Sequence, residues 1–233
     1  EIAQCLVGSE MCIRDRWRST LNAKEADISG GTIKLDTGEI FVYGNADDGS
    51  KFNISGGAFE MNNSNISTYP AMSAAEGNSQ KGAAMTVSGG TFKMNESSLG
   101  RENSGDLDIS GGEFTLENGS AIFHDGETGN INISGGTISL KDSSIVRGGD
   151  YQSEDGKPAS GDINITGGTI NAGGSSAEIA SVGNIKIANG AELNIASGTT
   201  LFAKAISEDM SQAQKATLNV YDLSLIHISE PTR

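Results

Sequence analysis

Apolar and polar positions recur in one phrase, clearest at Ile131-Asn132-Ile133-Ser134-Gly135-Gly136-Thr137-Ile138-Ser139-Leu140. Its core, an apolar residue followed by Ser/Thr-Gly-Gly, returns at Ile28, Ile54, Val87, Ile109 and Ile165, and a blurred copy runs from Lys186 to Leu193. From each anchor an apolar residue follows at five, seven and twelve positions, as in Ile28, Ile33, Leu35, Ile40 and Ile133, Ile138, Leu140, Ile145. These offsets give the copy at Ile109 the set Phe114, Leu116, Ala121, and the copy at Ile165 the set Ile170, Ala172, Ala177. Six copies thus share one spacing without an insertion; the seventh, from Ile187, slips by one, with Leu193 six residues on.

Spacing by two is the strand period, in which alternate side chains share a face. Spacing by five, across Gly-Gly or pairs such as Asp36-Thr37 and Asn118-Gly119, predicts two strands joined at a corner. Gly-Gly supplies positive-φ conformations and lets backbones approach. Each copy therefore predicts three short strands, two tight corners and a third corner closed by a variable loop. Anchors follow one another at 26, 33, 22, 24, 32 and 22 residues, and a period of this size marks a repeat architecture. The expected fold is all-β: a single-stranded parallel β-helix of about seven coils of 22–33 residues, right-handed by the usual sense of parallel crossovers. Stacked at about 4.8 Å, seven coils stand roughly 30–35 Å tall. Residues from Ile28 to Ile187 become one buried column, and stability is a sum of neighbour contacts. Gly-Gly in the six full copies excludes a helical repeat, and an antiparallel sandwich does not account for constant offsets.

The two ends differ from this pattern. Back-translating Leu6–Asp15 as CTC GTG GGC TCG GAG ATG TGT ATA AGA GAC gives a reverse complement that encodes Ser-Leu-Ile-His-Ile-Ser-Glu-Pro-Thr, the string at Ser224–Thr232. Both ends thus resemble one sequencing adapter translated from opposite strands. The expectation is that residues 1–16 and 223–233 are adapter-derived and that 17–222 is the natural repeat fragment, with the ends excluded from fold reasoning. Cys5, Cys12, His227 and Pro231 fall in those ends.

Between them 13 of the 16 Lys+Arg and 26 of the 30 Asp+Glu remain, a net charge of −13. That balance excludes a nucleic-acid groove, which needs clustered positive charge, and suits a self-repelling surface. No run of eighteen apolar residues occurs, so no transmembrane helix is expected within the fragment. The longest polar stretches, after Tyr69-Pro70 and over Arg147–Gly161, fall at the third corner and should project from one side. Ala203–Lys215 has the composition of a short helix, and Thr217-Leu218-Asn219-Val220 starts an eighth coil.

Candidate chemistry is sparse. His124 follows Ile122-Phe123 at a strand end and is expected to be a solvated loop residue; no Ser-His-Asp set can be assembled around it. Asp150, Glu154, Asp155 and Asp162 form the candidate Ca²⁺ site, although their spacing matches neither an EF-hand nor the calcium nonapeptide. Asp47-Asp48 is a lesser acidic pair. The polar residues before the anchors, from Asp27 and Asn53 to Lys186, should form an outward column. Thr32, Thr91, Thr137 and Thr169 give only a broken threonine lattice, interrupted by Ala58 and Glu113. Phe59, Phe92 and Phe114 are assigned to the interior by the register, which leaves no sugar-stacking platform.

The Ile-Ser-Gly-Gly-Thr-Ile repeats and the later Ala188-Asn189-Gly190-Ala191-Glu192-Leu193-Asn194-Ile195 resemble passenger domains of bacterial autotransporters and related repeat adhesins over Asp27–Leu201. The resemblance implies an extracellular or outer-membrane-associated surface β-helix, non-enzymatic, serving adhesion or acting as a stalk. Its expected partners are host or bacterial surface glycans or proteins, with no nucleic acid and no membrane insertion in this stretch. The alternative is a polysaccharide-binding or polysaccharide-cleaving β-helix of the pectin-lyase type. Apart from the Ca²⁺ candidate, no cofactor is expected.

Overall fold

The computed structural model describes residues 3–5, 10–13, 25–44, 51–70, 83–102, 105–148, 159–188, 190–203 and 218–220. Among them every regular element is a strand and every strand pair is parallel. The strands form a fifteen-stranded and a seven-stranded sheet, an all-β, nearly closed arrangement consistent with a parallel β-helix.

Each repeat contributes to three ladders. The first stacks Leu107–Ile109, Ile131–Ile133, Ile163–Ile165 and Ile185–Ile187. The second stacks Glu113–Glu117, Thr137–Lys141, Gly168–Gly173 and Ala191–Ile195. The third stacks Ala121–His124, Ser144–Arg147, Glu178–Ser181 and Thr200–Ala203. The first two belong to one sheet because Glu25–Asp36 and Lys51–Asn62 run through the Gly-Gly corner as single strands.

The expected anchor column is present: Ile28, Ile54, Val87, Ile109, Ile133, Ile165 and Ile187 are Cα partners in succession, and all are buried. A second buried column, two residues earlier, runs from Ala26 and Phe52 to Ile163 and Ile185. In the second ladder Phe59, Phe92 and Phe114 stack with ring centroids 4.4 and 4.5 Å apart and planes within 6°.

The Gly-Gly corner uses its two glycines differently. A Cβ on the first, as at Gly135, would lie 2.4 Å from the Ser110 carbonyl oxygen one repeat below. The second, as at Gly136, has φ +87°, a region where a side chain is strained.

Two spacings depart from expectation. Ile122 rather than Ala121 pairs with Leu99 and Ile145, because Gly119 adds a residue at the second corner. Ile179 rather than Ala177 pairs with Ile145, because residues 174–176 stand where the repeat below has one residue. Ala177 is buried too, but Ile179 fills the core column, so this repeat is not thinned at that corner. The one-residue slip of the last copy holds: Leu193 pairs with Ile170.

Ala203 closes a strand, and the rest of the expected helix lies outside the described residues. Leu218–Val220 pairs with Ile185–Ile187, as an eighth repeat should. Strands Ala3–Cys5 and Glu10–Ile13 pair with Ala26–Ile28 and Thr32–Leu35. No helix among the described residues is long and apolar enough to cross a membrane.

Candidate functional site

The outward column before the anchors carries two runs of side-chain hydrogen bonds. Asn53 Nδ2 donates to Asp27 Oδ1 at 2.7 Å, and Thr86 Oγ1 donates to Asn53 Oδ1 at 2.6 Å. Above them Asn132 donates to Asp108, and Asn164 to Asn132, both at 2.8 Å. A parallel amide ladder at the second corner joins Asn62 to Asp36, Asn95 to Asn62 and Asn118 to Asn95. Just inside it Ser64, Ser97 and Ser120 are buried, and the hydroxyls of Ser97 and Ser120 accept the N–H groups of Ser64 and Ser97 one repeat below.

A further polar ladder begins each of the later repeats. Asp106, Asn130, Asp162 and Asn184 occupy one position: Asp106 accepts the Asn130 N–H at 2.7 Å, Asn130 Oδ1 the Asp162 N–H at 2.8 Å, and Asp162 the Asn184 N–H at 2.7 Å. Each follows a glycine, and Gly129, Gly161 and Gly183 lie against the carbonyl of the glycine below. The Gly-Asx-Leu/Ile motif was present in the sequence, three residues ahead of each anchor, but the anchor spacing does not draw attention to it.

Of the candidate Ca²⁺ ligands only Asp162 is among the described residues. Asp150, Glu154 and Asp155, like Asp47-Asp48, lie outside the described residues. Asp162 is engaged by its ladder and by Lys186, whose Nζ lies 2.5 Å from Oδ2. Burial pushes its carboxyl up, but the bonds from Lys186 and Asn184 outweigh this and hold it below the ordinary carboxylate value. Among the described residues no group of three His, Cys, Asp or Glu side chains is placed to hold a metal. The threonine lattice is broken as expected, since Thr32, Ala58, Thr91, Glu113, Thr137 and Thr169 are successive partners.

His124 departs most from expectation. It is not solvated: it is 0 % exposed and points inward between Arg101 and Arg147, each 1 % exposed, at the same register position of adjacent repeats. Its Nε2 lies 2.5 Å from the Gly105 carbonyl oxygen, and its Nδ1 accepts the Gly126 N–H at 3.1 Å. These partners fix a neutral imidazole with its proton on Nε2. Burial, then Arg147, hold its pKa down to about 3. Arg147 donates to the carbonyls of His124 (3.0 Å), Gly126 (2.8 Å), Gly129 (2.6 Å), Ser160 (2.5 Å) and Gly148. Arg101 donates to the Asp106 carbonyl at 2.6 Å. Burial lowers both guanidinium pKa values to about 10, so both stay charged at neutral pH.

An open groove of about 790 Å³ lies over the second ladder, lined by Lys34, Glu60, Lys93, Asn62, Asn95 and Glu117 among others. Lys34 and Glu60 pair at 3.3 Å, both half-exposed. Lys93, next in register to Glu60, has no ion-pair partner among the described residues.

Comparison of the chain with protein-family models, with curated proteins and with solved structures finds no match.

Proposed function

We propose that the chain is a non-enzymatic module of a bacterial surface or secreted protein, a right-handed parallel β-helix of about seven coils that serves as a stalk or adhesive surface in the manner of an autotransporter passenger. The observation that carries this reading is where its polar groups are spent. The Asn, Asp and Ser ladders bond one repeat to the next, which is what a column under tension requires and what an active site, with convergent groups left free for substrate, does not. Handedness rests on the sense of parallel crossovers, and the extracellular setting on the resemblance of the repeats. The test is a glycan and protein-ligand array with the 17–222 fragment, together with single-molecule extension. Stepwise unfolding at high force, repeat by repeat, supports a stalk; release of new reducing ends from any arrayed polysaccharide overturns the non-enzymatic reading.

The groove favours a second reading, a polysaccharide-binding face. Lys34, Glu60 and Lys93 line it with charged donors and an acceptor, and Asn62 and Asn95 keep spare hydrogen-bonding capacity toward solvent. Selective binding of one polysaccharide, lost in Lys93→Ala, would rank this reading first.

A further inference from the structure

We propose that His124 is an acid-sensitive latch for the third-corner loops, holding them shut while its imidazole is neutral and releasing them when it takes up a proton. The geometry assigns each ring nitrogen to a different loop. Nε2 bonds the Gly105 carbonyl of the loop below, and Nδ1 accepts the Gly126 N–H of its own loop. The Gly126 carbonyl in turn accepts from Arg147, which also holds Gly129, Gly148 and Ser160. One ring and one guanidinium therefore hold Gly105, Gly126, Gly129, Gly148 and Ser160, described residues of three successive third corners. A proton on Nδ1 would set an N–H against the Gly126 N–H and add a third cation between Arg101 and Arg147.

The charged groups acting on the ring and its clasp are Arg101 below, Arg147 above, and the carboxylates Asp106, Asp125 and Asp162. Burial and the two arginines oppose protonation in the closed state, while the Gly105 bond and Asp106 favour it. An opening that exposes the ring to solvent moves the imidazole back toward its ordinary value of 6.5, whereas closed it titrates near 3. Between these values the open state alone binds the proton, so the open-to-closed ratio rises about tenfold for each unit the pH falls. This device is independent of the adhesive or stalk reading.

The test is hydrogen exchange on the whole chain, corrected for the intrinsic pH dependence of exchange, at the Gly126 amide and at the Ser134 amide, which bonds Ile109 O at 2.8 Å inside the stack. The expected result is an opening constant at Gly126 that exceeds that at Ser134 and grows about tenfold per unit from pH 6 to pH 4. His124→Gln should keep the loop bonds and lose the slope. Nitrogen-15 shifts of the ring should place the proton on Nε2 at pH 6. One shared opening constant for both amides, a pH-independent Gly126, a slope that persists in His124→Gln, or a proton on Nδ1 at pH 6 would each overturn the latch. Should His124→Gln fail to fold, the comparison of the two wild-type amides decides alone.

Discussion

At the scale of single residues, the Gly-Gly corner shows two separate demands behind one motif. The first glycine is excluded from bearing a side chain by the carbonyl below, the second by its own φ. That glycines sit at corners was legible in the sequence; which glycine answers which demand was not, because the clash comes from another repeat. The second corner demands positive φ as well, yet fills it with Thr37, Asn63, Glu96, Asn118 and Asp142 at φ 45–56°. Asn tolerates this region, whereas a β-branched residue is strained there. Thr37→Asn should therefore stabilise the protein by roughly 1 kcal/mol, read as a higher urea midpoint at unchanged slope; a lower midpoint would show that the bond from Thr37 Oγ1 to the Asp36 carbonyl, 2.7 Å long, matters more than the strain. His124, Arg101 and Arg147 were not legible at all. They bond backbone groups of loops, the Gly126 N–H and several carbonyls, which carry no side-chain signature, so the polar residues ending these strands gave the pattern of a strand leaving the core.

At the scale of the strand ladder, the identity of a position is set by what lies above and below it. Ala121 and Ala177 satisfy the offset of twelve from their anchors, but inserted corner residues displace them, and Ile122 and Ile179 take the column instead. The second of these insertions is pinned by Asp142, which accepts the N–H groups of Ser175 and Ser176 at 2.6 and 3.0 Å. An offset counted along the chain cannot see an insertion whose flanking residues are also apolar. The middle of the phenylalanine stack should be the costliest large-to-small change in the second ladder. Phe92→Ala removes the ring between Phe59 and Phe114 and should cost about 3–5 kcal/mol, measured by chemical denaturation. The Asx ladder predicts a smaller loss. Asn130→Ala deprives the Asp162 N–H of its acceptor and should cost about 1–2 kcal/mol; a neutral result would mean that water replaces the amide.

At the scale of the whole molecule, stability should fall on the acid side for a reason distinct from net charge. The folded value of His124, about 3, lies below its ordinary 6.5, so the unfolded chain takes up the proton first. The stabilisation it confers is complete above pH 6.5 and is lost as the pH falls toward 3, at roughly 1.4 kcal/mol per unit. Asp162, also depressed, adds its loss below the ordinary carboxylate value of 3.8. Acidification meanwhile moves the chain from −14 toward its isoelectric point near 4.5 and relieves self-repulsion, so the difference between wild type and His124→Gln isolates the histidine. The stack itself makes a stronger prediction. If each repeat is held only by its neighbours, one complete period can be excised. Deleting residues 129–160 joins Thr128 to Gly161, two positions in the register of Thr128 and Ser160, which form a parallel bridge. Phe114 then faces Ile170, Ile122 faces Ile179, and His124 faces Ser181, all partners of the removed repeat's own residues. This deletion of 32 residues should retain the β-sheet circular dichroism spectrum and a cooperative, lower melting transition. Deleting only 129–144, half as many residues, breaks the register and should abolish the transition. If the shorter deletion were the better tolerated of the two, stability would reside in something other than the pairing of equivalent strands.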